Sequence, residues 1–325
     1  MKIGSLFVDG VQRYGVVDDD RIDLLTRSVD LFEMLATGDP EQAMDGRSLR
    51  WSTEGPVAVP FPVASIRDFI TFEQHTAGSL RAVTGANAIP DAWYEAPAFY
   101  FSNPHAAIGS GATVPVPPGC DVFDFELEVA VVIGKAGFNL SVDEAFDHVA
   151  GFTILNDWSA RDLQGREMRV GLGAVKAKDT ATTLGPLLVT VDEFVDYEAD
   201  GRFDLGMEVS VDGTRIGGDT LANMAWTFAE LISYASRGTW VRPGDVLGSG
   251  TCGGGCLAEF WGRNGEQQPP PLRIGDTVTV TVEGIGTIHN TVVAGPPLHA
   301  VPPARRHRST TAPFGHNHRG ETAQR

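Results

Sequence analysis

Residues 124–135, DFELEVAVVIGK, set three carboxylates, Asp124, Glu126 and Glu128, at every second position of an otherwise apolar run. In an extended chain side chains alternate between faces, so Phe125, Leu127 and Val129 point one way and the acids the other. The continuation VAVVIG is too apolar for an edge strand, so part of the acidic face has to lie near buried structure. Unpaired charge there is costly unless a cation or hydrogen bonds compensate it. A second segment does the same: in GFTILNDWSARDLQ an apolar run ends at Asn156-Asp157 and leads to Arg161, Asp162 and Gln164. Clustered carboxylates suit a hard divalent cation, because Mg²⁺, Mn²⁺ and Ca²⁺ prefer oxygen ligands. A solvated acidic strand face is the competing reading.

The formal net charge of −17 repels nucleic acid and anionic membrane surfaces, which leaves small ligands and cations as partners. No stretch of 18 uncharged apolar residues occurs, and no apolar run follows a basic amino-terminal segment, so the reading is a cytoplasmic protein without a membrane span. Three cysteines, Cys120, Cys252 and Cys256, are too few and too irregular for a disulfide framework. They read as structural or incidental, because no second pair or nearby histidine completes a zinc set.

The pattern along the chain is α+β and strand-rich. Residues 1–65 form a small β-rich unit of short alternating runs broken by Asp-Gly and an Asp triplet. Residues 66–298 are dominated by strands such as GPLLVTVDEF and DTVTVTVEG. Helices are expected chiefly in VDLFEMLATG, in SVDEAFDHVAG with a capping box at Ser141 and Glu144, and in TLANMAWTFAELISYAS. Residues 299–325, rich in Pro, Arg, His and Thr, read as a disordered tail, and HNH at 316–318 as part of it.

DFELEVAVVIG, GFTILNDWSARDLQ, AKDTATTLGP and TWVRPGDVLGSGTCGGG, in this order, resemble the fumarylacetoacetate hydrolase family. The resemblance covers about residues 60–297 and implies a mixed β-sandwich roll as catalytic domain, preceded by a small β domain, in a homodimer. It implies a divalent cation, Mg²⁺ foremost with Mn²⁺ and Ca²⁺ as alternatives, held by Asp68, Glu126, Glu128 and Asp157. Asp124 matches no ligand and is expected as a hydrogen-bonding neighbour. Arg161 and a lysine would offset the acids; the pattern fits Lys178, and counting back from Gly185-Pro186 selects Lys176.

By the same resemblance His75 is the general base. Glu259 of GTCGGGCLAEFWGR orients it, with Glu73 as local competitor, and Gln164 donates to a developing oxyanion. Tyr100 and Thr251 match substrate-contacting positions, and Thr251 suggests a loop closing over the ligand. Ile70 and Met168 stand where other members carry tyrosines, so the pocket is expected to be more apolar, and Arg81 is the nearest arginine for a substrate carboxylate. The implied reaction is hydrolysis of a carbon-carbon bond in a 1,3-diketone or acylpyruvate through a metal-bound enolate. Alternatives are a 2-keto acid decarboxylase or tautomerase using the same enolate, or a non-catalytic metal-binding homologue. Decarboxylating members often carry a His-x-x-Glu pair, and Gly78 at that position favours hydrolysis.

Overall fold

The computed structural model describes residues 1–305; the HNH stretch and the rest of the expected tail beyond 305 lie outside them. The strand Leu127–Ile133 is the keystone. All seven of its residues are buried, and it lies antiparallel between Val149–Asp157 and Asp245–Gly248. Val129, Val131 and Ile133 enter one hydrophobic core and Ala130 and Val132 another. A strand covered on both faces reads as a continuous apolar run, as VAVVI does. The face that carries Glu126 and Glu128 therefore turns apolar two residues later, which anchors both acids to packed structure.

The sheet runs in the order Met44–Arg50, Arg21–Leu25, Val11–Asp18, Lys2–Val8, Thr182–Val189, Val149–Asp157, Leu127–Ile133, Asp245–Gly248, Ser65–Phe69, Phe99–Ser102. The amino-terminal meander joins it through Lys2 opposite Val189 and Ile3 opposite Leu188. Its first hairpin turns at Asp9-Gly10, where φ is 52° and 75°, the left-handed pair a two-residue turn requires. A second sheet orders Thr214–Thr220, Gly206–Val211, Thr277–Val282, Gly286–Val293 and Val114–Pro115. Alternation of buried Val with Thr in TVTVTV gives it one face toward the core.

Six α-helices occur among the described residues: α1 Leu31–Thr37, α2 Glu73–Thr84, α3 Val142–Ala145, α4 Arg161–Met168, α5 Phe228–Ser236 and α6 Leu257–Asn264. The three read from sequence, α1, α3 and α5, begin with side-chain caps: Asp30 for α1, and capping boxes Ser141/Glu144 for α3 and Thr227/Glu230 for α5. The other three were not anticipated, and they carry His75, Arg161, Gln164 and Glu259. No α-helix among the described residues is long and apolar enough to cross a membrane.

Candidate active site

Strand ends bring the acids together. Asp68 lies in Ser65–Phe69, opposite both Gly248 and Tyr100 in the ladders on either side. Asp157 closes Val149–Asp157, and Glu128 lies in the neighbouring strand. Strand pairing lapses at Phe125-Glu126, where the Asn156 side chain instead accepts the Glu126 N–H at 2.9 Å. Carboxylate oxygens of Asp68, Glu126 and Asp157 lie within 4.8 Å of one another. Glu128 flanks Asp68: a Cβ at Gly248 would collide with Asp68 Oδ1 and crowd Glu128 Oε2, so glycine there leaves room for both carboxylates.

Two buried cations face these acids. Lys178 Nζ contacts Glu126 Oε2 and donates to Asp157 Oδ2 at 2.7 Å. Arg161 reaches Asp124 Oδ2 at 2.8 Å and Glu126 Oε1 at 2.7 Å. Between the two lysines suggested by sequence, the structure brings Lys178 into the cluster, while Lys176 is 61% exposed and pairs with Asp179. The Tyr100 hydroxyl contacts Asp68 Oδ2 at 2.8 Å and also Asp157 Oδ2. One phenolic hydrogen serves one of these oxygens at a time.

Five carboxylates, Asp68, Asp124, Glu126, Glu128 and Asp157, thus confront two cations, and the imbalance shows in the titration of Asp68, Glu128 and Asp157. Burial, and then Asp157, push Asp68 up to about 7. Burial and the neighbouring Asp68 raise Glu128 well above the usual carboxylate range, and burial raises Asp157. Burial also opposes charge on Glu126, yet Lys178 and Arg161 hold it below that range. Asp68 Oδ1 and Asp157 Oδ1 are buried with no hydrogen-bond partner. Orphaned anionic oxygens, an all-oxygen donor set and the space left at Gly248 fit a hard divalent cation.

His75 is buried on α2, with Nδ1 3.8 Å from Glu259 Oε2 of α6. Burial, reinforced by Arg161 and Lys178, pushes its imidazole down to about 4. Glu259 is fully buried, accepts the Gly254 N–H at 2.6 Å and contacts Arg263. Glu73, the local competitor, accepts from the Tyr94 hydroxyl at 2.8 Å on the surface instead. α2 and α6 approach so closely that a Cβ at Gly262 would strike the Gly78 carbonyl, and one at Gly78 would strike the Glu259 side chain. Position 78 is glycine because Glu259 fills its side-chain space, so the carboxylate near His75 arrives from the other helix.

Asp68, His75, Tyr100, Glu126, Glu128 and Arg161 open into one cavity of about 110 Å³, into which Gln164, Thr251 and Lys178 also face. Ile70, Leu80, Val83 and Met168 form its apolar side. Gln164 accepts from Arg161 at 3.1 Å, and Thr251 donates to Glu128 at 3.3 Å. Arg81 lines a separate depression with Gly262 and Arg263. Residues 251–256 are not an exposed flap: all six are buried, with the Gly253 N–H held by Asp219 at 2.9 Å. Ser79, Leu80 and Val83 were missed by the sequence reading. His75, Ser79 and Val83 fall at helical spacing, a signal visible only once the segment is read as helix.

Residues 66–293 match the family described as fumarylacetoacetate (FAA) hydrolase C-terminal. The chain belongs to the fumarylacetoacetate hydrolase family. It is 36% identical over 171 residues to oxaloacetate tautomerase YisK of Bacillus subtilis, covering 52% of each chain. It is 27% identical over 318 residues to the fumarylacetoacetase of Arabidopsis thaliana, covering 77% of this chain and 74% of that one. Against oxaloacetate tautomerase fahd2 of Xenopus laevis the identity is 34% over 191 residues, 57% of this chain and 54% of the relative. The chain thus spans about half the length of these tautomerases. The solved structure of 5-carboxymethyl-2-hydroxymuconate delta-isomerase from Mycobacterium smegmatis superposes with TM-score 0.67 at 23% identity, covering 90% of this chain and all of that one, and so shares the fold.

Proposed function

We propose that the protein moves a proton at the carbon beside the carbonyl of a small 2-oxo or 1,3-dicarbonyl acid, interconverting keto and enol forms. The observation that carries this reading is His75, a buried imidazole kept neutral well below pH 7 at the rim of a carboxylate cluster. The oxaloacetate tautomerases among the relatives support it.

Asp68, Glu126, Glu128 and Asp157 would hold a divalent cation, Mg²⁺ foremost, which would supply positive charge to the substrate oxygens. His75 takes the proton. Glu259, near Nδ1, favours the tautomer with hydrogen on that atom, leaving Nε2 as the base, and stabilises the imidazolium that forms. Lys178 and the Gln164 amide donate to developing negative charge, where one preorganised donor is worth about 3 kcal/mol. Ile70, Leu80, Val83 and Met168 keep water from the apolar end.

A second reading, hydrolysis of an acylpyruvate-type carbon-carbon bond, is favoured by the same His75–Glu259 pair, which would activate a water, and by the resemblance to a fumarylacetoacetase over most of the chain. Gly78 does not separate the readings, because Glu259 stands in for a carboxylate at that position. The deciding assay follows the ultraviolet enol absorbance of oxaloacetate and a panel of acylpyruvates with Mg²⁺ or Mn²⁺, with chelator as control, and identifies products by mass. Metal-dependent loss of the enol at unchanged mass is the expected result. Two fragments that together gain one water would establish hydrolysis, and an enol decay no faster than the uncatalysed one would contradict both.

A further inference from the structure

Cys256 takes no part in this chemistry, yet its sulfur lies 3.6 Å from His75 Nδ1. A Glu126 oxygen, a His75 ring nitrogen and the Cys256 sulfur all fall within 4.8 Å of one another, and all three side chains are buried. One thiolate, one imidazole and one carboxylate are ligand types of a tetrahedral zinc site with an open fourth position. Zinc bonds of about 2.3 Å to sulfur and about 2.0–2.1 Å to nitrogen, at the tetrahedral angle, set the two ligand atoms about 3.5 Å apart. The observed separation matches that edge.

We propose that Cys256, His75 and Glu126 form a second cation site, selective for thiophilic divalent ions such as Zn²⁺, whose occupation switches the enzyme off. Selectivity comes from the sulfur: Mg²⁺, Mn²⁺ and Ca²⁺ take oxygen ligands, whereas Zn²⁺ accepts sulfur and nitrogen. Binding releases the proton of the Cys256 thiol, because the ion takes cysteine as thiolate. Glu126 is common to both sites; its two oxygens now engage Arg161 and Lys178, so one of these contacts is exchanged for the ion. The excess of carboxylates around the cluster leaves the local charge able to accept a divalent ion. Inhibition follows because coordination at Nδ1 forces the ring hydrogen onto Nε2, which removes the lone pair that the proposed proton transfer requires. That part rests on the functional reading above, whereas the binding site stands independently of it.

The test uses Co²⁺ as a spectroscopic substitute for Zn²⁺ on the full chain in excess Mg²⁺. The expected result is a thiolate-to-cobalt charge-transfer band that saturates at one equivalent and is abolished by Zn²⁺. Cys256→Ser removes the band, while Cys120→Ser with Cys252→Ser, which leaves Cys256 as the sole thiol, retains it and leaves position 256 untouched. Zn²⁺ inhibits the wild type in the enol assay, and Cys256→Ser raises the inhibitory concentration roughly tenfold or more. No band in the wild type or in the variant with Cys256 alone, or a band that persists in Cys256→Ser, overturns the site. A saturated band with undiminished turnover overturns the switch and, separately, the role of His75 as base.

Discussion

Asp124 accepts the N–H groups of Leu257 and Ala258, each at 2.9 Å, and binds Arg161 Nε at 2.9 Å with Nη2 at 2.8 Å. One buried carboxylate therefore caps α6, whose own N-cap residue Cys256 offers no side-chain bond, and holds the guanidinium that reaches Glu126. Asp124→Asn removes one of the two carboxylates paired with Arg161, leaving Glu126, and costs on the order of 1–3 kcal/mol. The check is a lower urea midpoint together with weaker Mn²⁺ binding; an unchanged midpoint contradicts this assignment. The family resemblance proposes Glu126, Glu128, Asp68 and Asp157 as a set, and the fold draws Asp68, Glu126 and Asp157 together with Glu128 beside Asp68. Asp124 was legible only as a neighbour, because its partners lie 37 and more than 130 positions away. Lys176 and Lys178 flank one turn, and burial, which spacing does not encode, separates them.

Helices α2, α4 and α6 carry His75, Arg161, Gln164 and Glu259, and they were the elements hardest to read. EQHTAGSLRAVT and RDLQGREM show little apolar periodicity, and each of the three contains a glycine, which disfavours helix by about 1 kcal/mol relative to alanine. Tertiary contact decides instead. Gly78 and Gly262 let α2 and α6 touch backbone to backbone, and that contact sets the distance between His75 and Glu259. Gly262→Ala forces the helices apart at a cost of roughly 1–3 kcal/mol. Its turnover number should fall more than its Mn²⁺ affinity, since the acidic cluster lies mainly on strands; equal losses in both would contradict this division of labour. The strands were far more legible, since VAVVI and TVTVTV declare double-sided and single-sided burial directly.

Across the whole molecule the sheet order was not legible, because it depends on pairings such as Lys2 with Val189 that no local pattern encodes. The electrostatic consequence of that order is nonetheless simple. Asp68 titrates near 7 in the fold, against about 3.9 in an unfolded chain, and Glu128 and Asp157 shift the same way. A carboxyl whose folded pKa is raised binds its proton more tightly when folded, so these groups lower stability as pH rises from about 4 through 7. A divalent cation offsets that loss. Mg²⁺ should therefore raise the melting temperature more near pH 7.5 than near pH 5, measured by calorimetry against a chelator control, and equal gains would contradict a metal role for the raised acids.

His75→Asn separates the proton transfer proposed for His75 from the metal binding proposed for the carboxylates. Mn²⁺ occupancy by electron paramagnetic resonance and enol turnover are measured on the same sample. Unchanged occupancy with turnover reduced roughly 10²–10⁴-fold is the expected result. Turnover within a few-fold of wild type at equal Mn²⁺ occupancy would contradict it.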